Sequence, residues 1–427
     1  MTLPWPVLAY RVGLALLEPA APAILAWRRR RGLEDPARLA ERRGRPSRAR
    51  PAGALVWMHG ASVGETLALL PLAERLTGRG VGVLVTSGTR TSAAVLARRL
   101  PPGAIHQFMP LDGPRFMRRF LDHWRPDLAL FAESELWPNA VIEITARQVP
   151  LLLVNGRMSE RSFRRWRRFP AAIGALLARF SSSLAQSAAD AERLASLGAA
   201  PVAVSGNLKF DASPPPADPH AVAALSGVLA GRPVWLAAST HPGEEAAAVA
   251  AHRALLDRFP HLLTIVIPRH PDRGAEIAEI AEEAGLTAAL RSRGEAPDRA
   301  GVYVADTVGE TGLFYRVAPV VLMGGSLVPH GGQNPIEPAR LGAAILHGPH
   351  VHNFAEVYAL LDRAGGAGPV LGPDALAGEV EALLADPARA RAMARAAGEA
   401  VAGVAGAVER TLRAIEPFLA PALEARR

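Results

Sequence analysis

From residue 54 onward, short apolar runs alternate with longer stretches whose apolar positions recur three or four residues apart. The runs 54–58, 81–86, 127–132, 151–155, 183–186 and 202–205 are too short for helices and are bounded by turn-forming residues, so they predict buried strands. Helices such as 65–76 and 91–100 fill the gaps. After Pro214-Pro215-Pro216 a second series begins, with strands expected at 234–238, 262–268, 301–305, 319–323 and 344–347. Strands and helices in this rhythm give parallel sheets covered on both faces. The expected fold class is α/β, with two Rossmann-like doubly wound domains over 32–210 and 211–400 and a helical, Ala-rich tail over 401–427. Ligands of such sheets gather outside the carboxyl ends of the strands, so the loops that follow strands hold the candidate chemistry.

Ahead of the first strand, residues 3–27 are largely apolar and are followed at once by Arg28, Arg29, Arg30 and Arg31. Arg11, Glu18 and the prolines Pro4, Pro6, Pro19 and Pro22 argue against a clean spanning helix, because a charge at the bilayer centre costs about 2.5–3.5 kcal/mol even on insertion scales. Residues 1–31 are therefore expected to form a membrane anchor, lying on the membrane or marginally inserted, with the basic cluster drawn to anionic lipid. The segment is expected to hold the protein there rather than to build the site. A signal peptide fits poorly, since the basic cluster follows the apolar stretch and no small-residue cleavage site is evident.

With 427 residues, 49% of them hydrophobic, the chain has material for two or three domains and is not of the disordered class. The absence of cysteine excludes disulfides, a thiol nucleophile and zinc held by thiolates. The net charge of +8 hides a split: residues 1–180 hold 28 arginines against 13 acidic residues, a net +15, whereas residues 181–427 are net −7. Such an N-terminal half suits an anionic partner: nucleic acid, phospholipid or a phosphorylated substrate. Lys209 is the only lysine, against forty-seven arginines. Where charge alone is wanted this chain uses arginine, so the lone lysine marks a place for a compact ammonium rather than a planar fork; an accident of composition is the competing explanation. It stands in Gly206-Asn207-Leu208-Lys209-Phe210-Asp211, a strand end leading to the triple proline, where a hinge between domains and a ligand cleft are expected.

The first strand ends in Trp57-Met58-His59-Gly60-Ala61-Ser62-Val63-Gly64-Glu65. Ser62 and Glu65 have the spacing of a capping box. Glu65 could equally be a general base displayed at the sheet edge and kept ionised by the helix dipole, with His59 competing for that role. The strand 127–132 runs into Glu133-Ser134-Glu135-Leu136-Trp137-Pro138-Asn139, whose carboxylates are costly to bury without a task. Strand alternation would send them to opposite faces, one toward the site. After Asn155-Gly156-Arg157, the arginines Arg161, Arg164, Arg165, Arg167 and Arg168 interleave with Phe163, Trp166 and Phe169, which suits nucleic acid, lipid headgroups or a solvated helix face. In the second half, Arg269 closes a strand as a phosphate-binding fork, and Asp306-Thr307-Val308-Gly309-Glu310 opens a helix. Gly324-Gly325-Ser326 leads to Gly331-Gly332-Gln333-Asn334-Pro335-Ile336-Glu337, where Asn334 as N-cap and Pro335 as first helical residue leave bare N–H groups for an anion. Glu337 could accept from ribose hydroxyls. This is a nucleotide site without a P-loop or G-x-G-x-x-G fingerprint, and no metal-ligand cluster is apparent; His347, His350 and His352 are close in sequence only.

These loops, in this order, resemble the bacterial lipid A 3-deoxy-D-manno-octulosonic acid (Kdo) transferase family, GT-B type glycosyltransferases with two Rossmann-like domains. The resemblance runs through 59–65, 133–139, 155–159, 206–211, 239–245, 267–271, 306–310, 324–326, 331–338 and Asn353-Phe354, nearly the whole chain. It departs at Gln333, where a histidine is also expected. It implies inverting transfer of Kdo from CMP-Kdo to a lipid A precursor, a bisphosphorylated glycolipid, at the cytoplasmic side of the cell inner membrane, without catalytic metal or cofactor. It implies Glu65 as the base and Glu135 and Lys209 as transition-state stabilisers. The implied CMP site is Pro268, Arg269, Val308, Gly309, Glu310, Asn334, Pro335, Ile336 and Glu337. The expected partners are CMP-Kdo, the lipid A precursor and anionic inner-membrane lipid, and not nucleic acid. Two rivals remain: a GT-B enzyme using a UDP-sugar, and a non-enzymatic RNA or membrane adaptor that leaves Glu65 idle.

Overall fold

In the computed structural model, which describes residues 3–212, 214–229 and 231–424, each series of strands closes into one parallel sheet of seven. The first sheet holds β1 (Leu55–His59), β2 (Gly82–Ser87), β3 (Ala104–Phe108), β4 (Leu128–Ala132), β5 (Leu151–Gly156), β6 (Ser182–Ala185) and β7 (Val202–Val204), in the order β3-β2-β1-β4-β5-β6-β7. The second holds β8 (Val234–Thr240), β9 (Leu263–Pro268), β10 (Ala288–Leu290), β11 (Val302–Val304), β12 (Val320–Met323), β13 (Ala344–His347) and β14 (Ala367–Pro369), in the order β10-β11-β9-β8-β12-β13-β14. Strand order reverses between β1 and β4 and again between β8 and β12, the switch points at which doubly wound sheets bind ligands. Strands β3, β10 and β14 lie outside the sequence expectation. All three are edge strands, and edges lack the continuous apolar runs that mark strands buried on both faces.

Helices cover both faces of each sheet because alternate strand residues are apolar in both directions. In the first sheet Leu55 and Trp57 pack with Phe120 and Trp124, and Val56 and Met58 with Leu69 and Leu72. One compact unit takes the described residues up to Ala212 and those from Ala405 onward; the other takes the chain between them. The tail expected over 401–427 is therefore divided. The helix Pro387–Gly403 ends in the second unit, whereas Ala407–Glu424 packs Leu412, Ile415 and Leu419 into the core of the first. Each such buried side chain contributes about 1.5–3 kcal/mol.

The N-terminal segment forms a helix Trp5–Leu17, a turn Glu18–Ala20 and a helix Ala21–Arg30. By length and composition alone Trp5–Arg30 could cross a membrane, weak evidence by itself. Its prolines stand at the starts of helical turns, where a missing N–H is harmless. One side is docked on the first unit through Val7, Ala21 and Leu25, while Trp5 and Leu16 are more than 70% exposed on the other. The charges that argue against a span face the protein: Arg11 pairs with Glu143 at 2.5 Å, and Glu18 accepts from Arg115 N–H at 2.7 Å. Residues 3–31 thus pack on the first unit while presenting an apolar side outward.

Candidate active site

Strands β1 and β4 end side by side, paired from Val56–Leu128 to His59–Phe131. After β1, Ser62 caps the helix Val63–Thr77 by accepting from Glu65 N–H at 3.3 Å. The Glu65 carboxylate folds back, accepting from Ser62 Oγ at 2.7 Å and from Ala61 N–H at 2.8 Å. A Cβ on Gly60 would stand only 3.0 Å from Glu65 Cβ, so glycine there permits the return. The capping geometry does not leave Glu65 idle, because it fixes a half-buried carboxylate in one place. Burial pushes its pKa above the ordinary carboxylate value; Glu135 and Glu133 push the same way, against the hydrogen bonds from Ser62 and Ala61. A fixed carboxylate with a raised pKa is a stronger base than an ordinary one.

Glu133 and Glu135 do not divide between two faces. Strand alternation stops at Glu133, whose φ of +52° turns the chain out of β4, and both carboxylates come near enough to Glu65 to raise its pKa. Glu135 Oε2 accepts from the Trp137 indole N–H at 2.6 Å and lies 3.5 Å from His59 Nε2. His59 is fully buried, with Nδ1 2.9 Å from Thr86 Oγ1. It stands behind Glu135 with no face open to a substrate.

Lys209 lies in a single turn, Leu208–Asp211, whose start is fixed by Asn207 Oδ1 accepting from Lys209 N–H at 3.0 Å. Asn155, buried at the end of β5 with φ +52°, accepts from Leu208 N–H at 2.9 Å and ties that turn to the sheet. Asp211 accepts from Gly406 N–H and Val408 N–H, so the returning C-terminal helix clamps the other end. Lys209 Nζ reaches Glu133 Oε1 at 3.2 Å with a quarter of its side chain exposed. The site therefore gathers Glu65, Glu133, Glu135 and Lys209. Nothing in the sequence around Glu133 marks it as the partner of Lys209; only the backbone turn at Glu133 brings them together.

In the second unit, Glu244 is fully buried at the start of the helix Glu244–Leu255, and its carboxylate accepts four backbone N–H groups. These come from His241 (2.9 Å), Gly325 (2.6 Å), Ser326 (3.0 Å) and Leu327 (2.9 Å). Glu244 thus binds the loop after β8 to the loop after β12 across the switch point, a role invisible in the sequence. Glu244→Gln turns an amide NH2 toward backbone donors. It is expected to destabilise the second unit by about 2–3 kcal/mol, read as a lower melting temperature by calorimetry. Around this junction His241 stacks on His330 at 4.1 Å and meets Gln333 Nε2 at 3.2 Å. Burial, with His330, His270 and Arg269 nearby, holds the His241 pKa below the ordinary value, so His241 is neutral at pH 7.

The residues expected to hold a nucleotide occupy loops at the carboxyl edge of this second sheet. Pro268 is buried at the end of β9 and Arg269 is exposed just beyond. Val308 is exposed, Gly309 has φ +94°, and Glu310 is gripped by Arg291 at 2.7 and 3.2 Å. That guanidinium holds the Glu310 carboxyl below the usual range. Asn334 Oδ1 accepts from Ile336 N–H at 3.1 Å, as a cap does, and Asn334 Nδ2 lies 3.5 Å from Glu337 Oε1. The helix Ile336–Arg340 has only five residues, too few for the dipole that the sequence suggested. Pro335 and Ile336 are buried. His347 bonds to Asp362 at 3.0 Å and to Gly348 O at 2.8 Å. Among the described residues no group of three or more His, Asp or Glu side chains is placed to hold a metal ion.

Compared with known proteins, residues 37–212 match a family model described as 3-deoxy-D-manno-octulosonic-acid transferase (kdotransferase). A probable mitochondrial 3-deoxy-D-manno-octulosonic acid transferase from Arabidopsis thaliana is 36% identical over 373 residues, 84% of this chain and 83% of that protein. A 3-deoxy-D-manno-octulosonic acid transferase from Bordetella pertussis is 38% identical over 428 residues, 94% of this chain and 98% of that one. Among solved structures, a glycosyltransferase from Rickettsia africae ESF-5 aligns over 86% of this chain and 99% of its own with a TM-score of 0.57. At 12% identity that is a likeness of fold alone.

Proposed function

Because the chain belongs to the 3-deoxy-D-manno-octulosonic acid (Kdo) transferase family, we propose that it moves Kdo from CMP-Kdo to a hydroxyl of a lipid A precursor, inverting the anomeric centre without a catalytic metal. The main support is the gathering of Glu65, Glu133, Glu135 and Lys209 at the switch point of the first sheet, with the Glu65 pKa raised. Glu65 takes the proton of the acceptor hydroxyl, whose oxygen attacks the anomeric carbon from the face opposite CMP. The bond from that carbon to the phosphate oxygen breaks, and its electron pair leaves with CMP. Glu135 opposes the positive charge that builds on the anomeric carbon as this bond stretches. Lys209 spends one N–H on Glu133 and keeps two for the anionic phosphate or the sugar carboxylate.

On the donor side, Arg269 meets a phosphate, Asn334 and Glu337 meet ribose hydroxyls, and Val308, Gly309, Glu310, Pro268, Pro335 and Ile336 shape the rest of the nucleotide loop surface. The apolar side of the N-terminal segment, with Trp5, Leu8, Val12, Leu16 and Leu17 exposed and Arg29 and Arg30 following, supports seating at the cytoplasmic face of the inner membrane. The exposed Arg161, Arg165 and Arg168 fit anionic headgroups or the phosphates of the acceptor.

The test is to incubate the protein with CMP-Kdo and lipid A precursor and to weigh the product by mass spectrometry. A gain of one or more Kdo residues is expected, with CMP but not UDP competing and with a chelator leaving the rate unchanged. No product, or competition by UDP as strong as that by CMP, sinks the assignment.

A further inference from the structure

The helix Trp5–Leu17 is apolar on its exposed side but reaches inward with two polar side chains, one to Asp112 and the other to the helix whose start Asp112 caps. Tyr10 OH donates to Asp112 Oδ2 at 3.0 Å. Arg11 Nη1 donates to Asn139 Oδ1 at 3.2 Å, and its Nη2 pairs with Glu143. Asp112 is buried and is itself a cap supplied from elsewhere in the chain. Its carboxylate accepts from Asn139 N–H at 3.0 Å and Ala140 N–H at 2.9 Å, orphan donors at the start of the helix Pro138–Ala146. Its carbonyl accepts from Asn139 Nδ2 at 2.6 Å. The residue just before that helix is Trp137, whose indole N–H donates to Glu135. From the phenol to the Glu135 carboxylate the route is Tyr10, Asp112, the start of the helix, Trp137, Glu135, with a hydrogen bond or a peptide link at each step.

We propose that Tyr10 is a positioning residue for the transfer reaction: through Asp112 it fixes the start of the helix Pro138–Ala146, and so the Trp137 indole that aims Glu135 at the reacting centre. The inference rests on the role proposed above for Glu135. It gives the N-terminal segment a part in the site beyond holding the protein at a surface. The side chain that does so is chosen for its hydroxyl, since a phenylalanine would pack as well and aim nothing.

Coupling of this kind is measured by a double-mutant cycle. Tyr10→Phe removes only the hydroxyl and is expected to lower kcat by roughly five- to tenfold, a part of what one hydrogen bond to a charged group is worth. KM for CMP-Kdo is expected to stay unchanged, whatever small fall in melting temperature the lost hydrogen bond brings. Trp137→Phe cuts the same route at its far end and should give the same pattern. In a Glu135→Gln background, already slow, adding Tyr10→Phe should cost nothing further. Wild-type kcat for Tyr10→Phe or Trp137→Phe overturns the inference, as does a Tyr10→Phe loss that multiplies with that of Glu135→Gln. A Glu135→Gln enzyme with wild-type turnover removes the role of Glu135 itself, and the positioning role falls with it.

Discussion

Replacing Glu65 with glutamine is expected to slow Kdo transfer by a factor of roughly 10² to 10⁴ while CMP binding and the melting temperature barely move. The shape of the cap survives: the glutamine carbonyl can still accept from Ala61 N–H, and its NH2 can donate to a Ser62 hydroxyl that rotates to accept. What is lost is the capacity to take a proton. Stability is not expected to fall with it. The folded-state pKa of Glu65 is raised, so this group favours folding at low pH and loses that contribution as pH rises through the folded value. Above that value the ionised carboxylate is held at a cost that glutamine removes. The same shift fixes the sign of the pH dependence. The acid limb of kcat/KM for the wild-type enzyme is expected above the ordinary carboxylate range, with activity lost as pH falls and Glu65 gains its proton. If Glu65 serves only as a cap, the variant melts lower and turns over normally.

What was legible in the sequence, and what was not, divides along physical lines. Central strands announce themselves because burial on both faces demands unbroken apolar runs: of the eleven expected strands, ten are interior strands of the two sheets and one, Val202–Val204, is an edge. Edge strands such as Ala288–Leu290 are half-covered and too short to stand out from the loops around them. Local capping was readable in part: Ser62 caps as its spacing indicated, whereas the helix expected to open at Pro335 begins at Ile336, with Pro335 at the N-cap and Asn334 one residue before it accepting from Ile336 N–H. Relations set by backbone conformation were not. Nothing in Glu133-Ser134-Glu135 marks the positive φ that puts both carboxylates on one side. Nor does the sequence reveal that Glu244 takes four N–H donors from two loops some eighty residues apart. Arg11 and Glu18 carry the same lesson. Counted along the chain they look like penalties for a membrane-spanning helix, but with Glu143 and Arg115 N–H opposite them they are the points by which the segment is attached. Composition registers a charge and is blind to its partner.

Lys209→Arg is expected to lower turnover by about 10² in a protein that folds and binds CMP as before. The lone lysine first drew notice because arginine was freely used everywhere else, and its surroundings now supply a reason. Lys209 meets Glu133 through a single N–H at 3.2 Å and leaves two donors on a compact head that is only a quarter exposed. A guanidinium in that place would close a bidentate fork on the Glu133 carboxylate, the pairing it prefers. Its charge would then be neutralised by its neighbour instead of facing the leaving phosphate, and its greater width would displace the fixed carboxylates by a distance that matters to the chemistry. The loss is expected in kcat rather than in KM for CMP-Kdo, because the interaction is made as charge develops and not on binding. Glu133→Gln in the Lys209→Arg background provides the internal control: with the fork undone, part of the rate should return. Steady-state kinetics of the two variants decide the matter. Wild-type kcat for Lys209→Arg would show that the lysine survived by accident and would take it out of the mechanism, leaving Glu65 and Glu135 to act without it.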